Sequence, residues 1–162
     1  LIKTKKYYSW KSLGSEYRAS ELSAALLDAQ LEKISKIQSI RKKLFLMYKN
    51  FFDKLRNKNF YILKIHKNIK NSYHLFNLVF FKKKDAEHFK KFMQKKNIAS
   101  TFHYVPLHNS TFGKKISNYK KLPITESIFL KVVRLPLHSN IKKRDINKIF
   151  TVLKTYFLKV KK

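Results

Sequence analysis

Tyr8-Ser9-Trp10-Lys11-Ser12-Leu13-Gly14-Ser15-Glu16-Tyr17-Arg18-Ala19-Ser20-Glu21-Leu22-Ser23-Ala24-Ala25-Leu26-Leu27-Asp28-Ala29-Gln30-Leu31-Glu32-Lys33 changes character midway. Its first half is aromatic and irregular. Gly14, one of two glycines in the chain, stands where a tight loop needs positive φ. Ser20 is a good N-cap, because its hydroxyl can accept from the open amides of a first helical turn. Glu21 follows on the favourable side of the helix dipole. Leu22, Ala25, Leu26 and Ala29 then recur at helical spacing. Ala24, Ala25 and Ala29 are small enough to let another element approach closely. Spacing alone gives a capped amphipathic helix packing on a core and nothing more. The chain as a whole is read as a basic tail and loop over 1–19 and a single domain over 20–162.

Beyond Lys33 the helical pattern continues to about Arg56 through Ile34, Ile37, Ile40, Leu44, Met47, Tyr48, Phe51 and Leu55. The apolar face shifts between Leu31 and Ile37, which predicts a bend or a change of packing partner there. Glu32 and Lys36 form a favourable i,i+4 pair. A β-prone run at Phe60–Ile65 and a turn at Lys67–Ser72 precede the best strand, within Tyr73–Phe81, whose near-continuous apolarity predicts burial on both faces. Asp85 is read as the cap of a helix presenting Ala86, Phe89, Phe92 and Met93. Ile98–Val105 reads as a strand, His108–Leu122 as a polar loop, Pro123–Val133 as a short helix and Arg134–Leu137 as extended. Asp145 is read as the cap of a terminal helix with the stripe Ile146, Ile149, Phe150, Leu153, Tyr156 and Phe157. This order predicts an α+β fold: a long helix and a small antiparallel sheet covered by helices.

With 162 residues and 44% hydrophobic content the chain can bury a core. No apolar run approaches the roughly 20 residues of a membrane span, so no membrane partner is expected. No cysteine is present, and nothing at the start reads as a signal peptide, so a cytoplasmic location is the default. Lys+Arg 38 against Asp+Glu 9 gives a formal charge of +29. Such a charge suits a basic RNA- or ribosome-associated module, held as the alternative function. Two features favour compositional drift, with only non-specific nucleic-acid binding. Arginine, the usual reader of bases, is confined to Arg18, Arg41, Arg56, Arg134 and Arg144, and the lysines are spread throughout. The chain opens on Leu1, which is expected for a piece of something longer or for unusual initiation.

The segment Gly14, Tyr17, Arg18, Ser20, Leu22, Ala24, Ala25, Gln30, Leu31 and Glu32 resembles the region after the catalytic core in the DegT/DnrJ/EryC1/StrS family of pyridoxal-phosphate-dependent sugar aminotransferases. Members there carry a Gly-x-Asn-x-Arg-like loop, a Ser-x-Leu-x-Ala-Ala helix and a Gln-Leu-Glu run. The lead-in Tyr8 and Trp10 resembles the branch that makes dTDP-4-amino-4,6-dideoxygalactose. Tyr73, His74, Leu75 and Phe76 match the family's Trp-His-Leu-Phe-type strand, and Arg134-Leu135-Pro136-Leu137 a recurrent structural turn. The resemblance covers essentially the whole chain. It implies the small C-terminal domain of a fold-type I aminotransferase.

Thr101-Phe102-His103-Tyr104-Val105-Pro106-Leu107-His108 is the second distinctive stretch. Two histidines flank Pro106, but no carboxylate or cysteine stands nearby to complete a metal site, so none is expected. Tyr and His at a strand end can donate to sugar hydroxyls and diphosphate oxygens, while Pro106 fixes the chain; packing at a strand end is the plainer reading. The resemblance implies that His103, Tyr104 and His108, in a His-Tyr-x-Pro-Leu-His motif, border the sugar-nucleotide pocket. It implies further that Ser15, Glu16 and Arg18 lie in the loop that approaches a cofactor phosphate across a homodimer. Glu16 stands where the family has Asn, and Ser15 is the possible stand-in. His66, His74, His88 and His138 show no partner pattern.

The family's Ser-Phe-x-x-x-Lys segment, which holds pyridoxal phosphate as a Schiff base, has no counterpart, nor has its Gly-Glu-Gly-Gly run. No catalytic residue and no covalent cofactor are therefore expected on this chain. The resemblance implies instead a C-terminal portion, truncated or split, that needs an N-terminal cofactor domain as partner. The intact enzyme would transfer an amino group from glutamate to a dTDP-4-keto-6-deoxyhexose, for cell-surface polysaccharides such as enterobacterial common antigen or lipopolysaccharide.

Overall fold

The computed structural model describes residues 2–3, 8–9, 17–55, 58–102, 104–116 and 120–159. The chain divides into two units, 1–35 and 36–162. In the first, β1 (Ile2–Lys3) and β2 (Tyr8–Ser9) pair antiparallel, and α1 spans Glu21–Leu31. Ser20 caps α1 as its chemistry predicts, its Oγ accepting from the Ser23 amide at 3.2 Å. The expected packing of α1 on a core is not observed. None of its residues is buried, and Leu22, Leu26, Leu27 and Leu31 are exposed. Helical spacing fixes which residues share a face; it does not fix what covers that face.

The helix expected from Ser20 to about Arg56 is two helices. A turn at Glu32–Lys33 separates α1 from α2 (Ile34–Asp53), within the interval where the apolar face shifts. The second unit is organised around the sheet β3 (Phe60–Ile62), β4 (Phe76–Phe80) and β5 (Val132–Leu135), antiparallel in that order. Phe60 pairs with Phe80, and Phe76 with Leu135. The pleat sends Phe76, Leu78 and Phe80 to one face. That face joins a core with Leu44, Phe45, Tyr48 and Phe52 of α2. The same core takes Ala86, Phe89 and Met93 from α3 (Lys83–Lys95), and Ile149, Val152 and Leu153 from α6 (Lys143–Lys154). Val79, on the opposite pleat, is also buried beside its partner Val132, so β4 is enclosed on both faces as its apolarity predicts.

Four sequence expectations shift. Lys82 and Lys142 occupy the N-cap positions, and Asp85 and Asp145 lie in the first turns, where a carboxylate serves the helix dipole instead of capping. The strand expected over 98–105 reduces to a bridge between Thr101 and Arg134. The helix expected to run to Val133 is α5 (Pro123–Phe129), and Val132 and Val133 belong to β5, where β-branched side chains suit the pleat. The stretch read as a polar loop contains a 3-10 turn (Leu107–Asn109) and the helix α4 (Thr111–Ile116). After Lys154, α6 widens into a π turn over Thr155–Lys159, which delivers both Tyr156 and Phe157 against the core.

Tyr48 ties α2 to the turn after β5, its hydroxyl donating to the Pro136 carbonyl at 2.8 Å. Burial holds its phenol well above the ordinary tyrosine range. Tyr156, whose hydroxyl lies 3.0 Å from His88 Nδ1, is pushed up to about 12, first by burial and then by the Asp85 carboxylate. A phenol raised above its unfolded value near 10 keeps its proton longer in the fold than in the open chain. Its contribution to stability is complete below pH about 10 and is lost as pH rises through the folded value. Titration at 295 nm should show Tyr48 and Tyr156 still protonated well above the ordinary value near 10, with unfolding stability falling as they ionise. A single midpoint near 10 for all nine tyrosines would contradict this.

Candidate functional site

The Thr101–Arg134 bridge launches the segment that carries the His-Tyr-x-Pro-Leu-His motif. Thr101 donates to the Arg134 carbonyl at 3.3 Å, and Arg134 donates back at 2.7 Å. Phe102 then meets Phe129 edge-on, the ring centroids 5.9 Å apart. Pro106 is buried and anchors the 3-10 turn. Ser110 joins that turn to α4: its hydroxyl donates to the Leu107 carbonyl at 2.7 Å and accepts from the Gly113 amide at 2.9 Å. The backbone passes so close to Gly113 that a Cβ there would overlap the Leu107 carbonyl oxygen.

His108 Nε2 lies 3.1 Å from Glu126 Oε1, with both side chains largely covered. The same Oε1 accepts from the Leu122 amide at 3.2 Å. Glu126 therefore does two jobs, closing an open amide at the start of α5 and fixing the turn that carries His108. Held this way, the loop presents Tyr104 (68% exposed) and Leu107 (85%) outward. Phe112, Ile116 and Ile124 are also exposed. So many large apolar groups in one continuous segment exceed the scattered exposure usual on a free surface.

Of the site residues read from the sequence, Tyr104 and His108 lie in this loop, Tyr104 outward and His108 turned to Glu126. Arg18 is exposed in the first unit. His103, Ser15, Glu16 and Gly14 lie outside the described residues. Glu126 was not legible in the sequence, because nothing local links it to a histidine eighteen positions earlier. Among the described residues no three His, Asp or Glu side chains converge as a metal-ligand group, and no helix is long and apolar enough to cross a membrane.

The small antiparallel sheet with the helices packed on it, and the motif segment bridged to its edge strand β5, define a small α+β domain of the aminotransferase type. The chain belongs to the DegT/DnrJ/EryC1/StrS aminotransferase family, whose sequence profile it matches over residues 2–154. It is similar to the UDP-4-amino-4,6-dideoxy-N-acetyl-beta-L-altrosamine transaminase of Helicobacter pylori, at 26% identity over 90% of this chain and 39% of the relative. The enzyme of that name from Campylobacter jejuni subsp. jejuni serotype O:2 is 28% identical over 93% of this chain and 40% of the relative. Among solved structures, Helicobacter pylori PseC, an aminotransferase involved in the biosynthesis of pseudoaminic acid, superposes with a TM-score of 0.75 at 26% identity, covering 96% of this chain and 42% of that one. DesV of S. venezuelae, solved with a ketimine intermediate, shares the fold with a TM-score of 0.81 at 19% identity, over 97% and 42% of the two chains. The chain thus spans about two-fifths of the length of its curated relatives. The charge-based alternative, an RNA-associated module, gains no support from these likenesses.

The family depends on pyridoxal phosphate. A Schiff-base lysine needs a desolvated pocket that lowers its pKa. Among the described residues no lysine and no other charged side chain is buried. The described residues therefore do not fit a covalent hold on the cofactor.

Proposed function

We propose that this chain is the substrate-shaping C-terminal portion of a nucleotide-sugar aminotransferase, working with an N-terminal portion that carries the Schiff-base lysine. The observation that carries this reading is the exposed Tyr104–Leu107 loop, locked from behind by His108 and Glu126, within a family match over residues 2–154 of this chain. An apolar segment held so open suits a surface that another domain covers. His103, Tyr104 and His108 would border the sugar nucleotide, and Ser15, Glu16 and Arg18 would approach the cofactor phosphate of the other subunit in a homodimer. The substrate we favour is a nucleotide-activated 4-keto-6-deoxyhexose with glutamate as amino donor. The dTDP form follows the Tyr8–Trp10 resemblance, and the relatives' names point to a UDP form.

Mixing the chain with a family N-terminal portion should restore amino transfer from glutamate to a dTDP- or UDP-4-keto-6-deoxyhexose. It should also raise the chain's Tm by mass action. Tyr104→Phe in the complex removes one polar contact and should lower kcat/KM about tenfold. A stable complex that transfers no amino group, or a Tyr104→Phe complex with unchanged kinetics, would overturn the reading.

A further inference from the structure

We propose that the cavity beside the start of β4 and the end of β5 is an oxyanion site, taking a carboxylate or a phosphate group. It encloses about 340 Å³ and is lined by His74, Thr101, Arg134 and His138 together with an apolar wall that includes Leu75 and Pro136. No carboxylate lines it. The lining thus includes three residues able to carry positive charge and one hydroxyl-bearing residue, beside a partly apolar wall. A guanidinium there offers a planar fork that matches carboxylate and phosphate oxygens. The volume holds a phosphate or a small dicarboxylic acid with ordered water, each water taking roughly 30 Å³.

The backbone fixes these groups from two directions. Arg134 sits in register opposite Asn77 of β4 and is bridged on its other side to Thr101 by two backbone hydrogen bonds. His74 follows Tyr73, a bulky residue with φ of 51°, in the left-handed region that such residues rarely adopt. That conformation is held by the Asn71 Oδ1, which accepts the Tyr73 amide at 2.8 Å, and by the Tyr73 ring edge-on to Phe45 at 5.3 Å. Strain of this kind persists where the surroundings over-determine it. His74 Nδ1 is engaged with Ser72 Oγ at 2.7 Å, and Nε2 is its other ring nitrogen. The cavity shares no lining residue with the His108–Glu126 loop, so this inference stands or falls apart from the transaminase reading.

The test is NMR of the histidine imidazoles in the full chain, titrated separately with inorganic phosphate and with succinate. Ionic strength is held constant with sodium chloride, because a chain of +29 attracts any anion. His74 and His138 should shift together and saturate, with a midpoint on the order of 1 mM, while His66 and His88 stay in place. Saturation by one probe alone assigns the site to that chemistry; saturation by both makes it a general oxyanion site. Arg134→Gln should weaken the midpoint about tenfold, and Arg134→Lys should recover part of the loss. Should Arg134→Gln fail to fold, His74→Asn changes an exposed side chain and should weaken the His138 response several-fold. Parallel, unsaturated shifts of all four histidines would overturn the site. So would an Arg134→Gln or His74→Asn midpoint equal to that of the unmutated chain.

Discussion

Phe52→Ala is expected to destabilise the folded chain by about 3–5 kcal/mol. Phe52 has no exposed surface, and its ring touches four elements. It lies 5.3 Å from Phe60 in β3, 5.7 Å from Phe76 in β4, 5.6 Å from Phe157 in the π turn, and beside Tyr48 and Phe51 in its own helix. Those neighbours are rings fixed by one another, so they cannot collapse into the space left by truncation. Domains of this size are stable by about 5–15 kcal/mol, which makes the loss a large share of the whole. Urea unfolding would show it as a lower midpoint with an unchanged m-value. A loss under about 1 kcal/mol would mean that the aromatic layer repacks freely. Leu26→Ala, on a side chain 64% exposed in α1, should stay within about 0.5 kcal/mol.

Gly113→Ala is expected to destabilise by about 1–3 kcal/mol. The sign is the unusual part, since glycine to alanine inside a helix ordinarily stabilises by roughly 0.5–1 kcal/mol. Here the added Cβ would overlap the Leu107 carbonyl oxygen and stand 2.9 Å from Ser110 Oγ. The serine can rotate; the carbonyl is backbone and is already engaged with the Ser110 amide at 3.1 Å. Relief requires α4 to part from the 3-10 turn, and that turn holds His108 against Glu126. Unfolding and the His108 imidazole resonance should therefore change together. Ser110→Ala, which removes two hydrogen bonds without a clash, should cost about 0.5–2 kcal/mol, as for a lost cap. A Gly113→Ala variant more stable than the parent would show that the close approach carries no constraint.

The parts of the fold legible in the sequence are those where one residue's neighbours in the chain decide its environment. The stripe Ile149 and Leu153 lies buried as its period requires, and so do Ala86, Phe89 and Met93. The alternation within Phe76–Phe80 is masked by Val79, yet the run correctly signals enclosure on both faces. The sequence places Val132 and Val133 in a helix because Pro123 opens one and no glycine or further proline interrupts the run to Val133. Only pairing with β4, more than fifty residues away, makes them a strand. The bridge at Thr101 and the Glu126 contact of His108 fail for the same reason: each depends on a partner distant in sequence. At the candidate site, the motif pointed to Tyr104 and His108, and chemistry alone did not reveal that His108 would face a carboxylate.

The π turn after Lys154 has a bearing on how this chain tolerates changes of length. A helix wound at i to i+5 carries one residue more than its α-helical path requires, as though a single position had been inserted late into the terminal helix. That surplus lets adjacent residues, Tyr156 and Phe157, both reach the aromatic layer, one toward Phe92 and the other toward Phe60. Loss of one position here would return the segment to ordinary winding and swing one of the two rings about 100° away. Loss of one position earlier in α6 would instead rotate the Ile149–Leu153 stripe out of the core. The carboxyl end of the domain thus contains a built-in reserve of one residue, confined to the last turn.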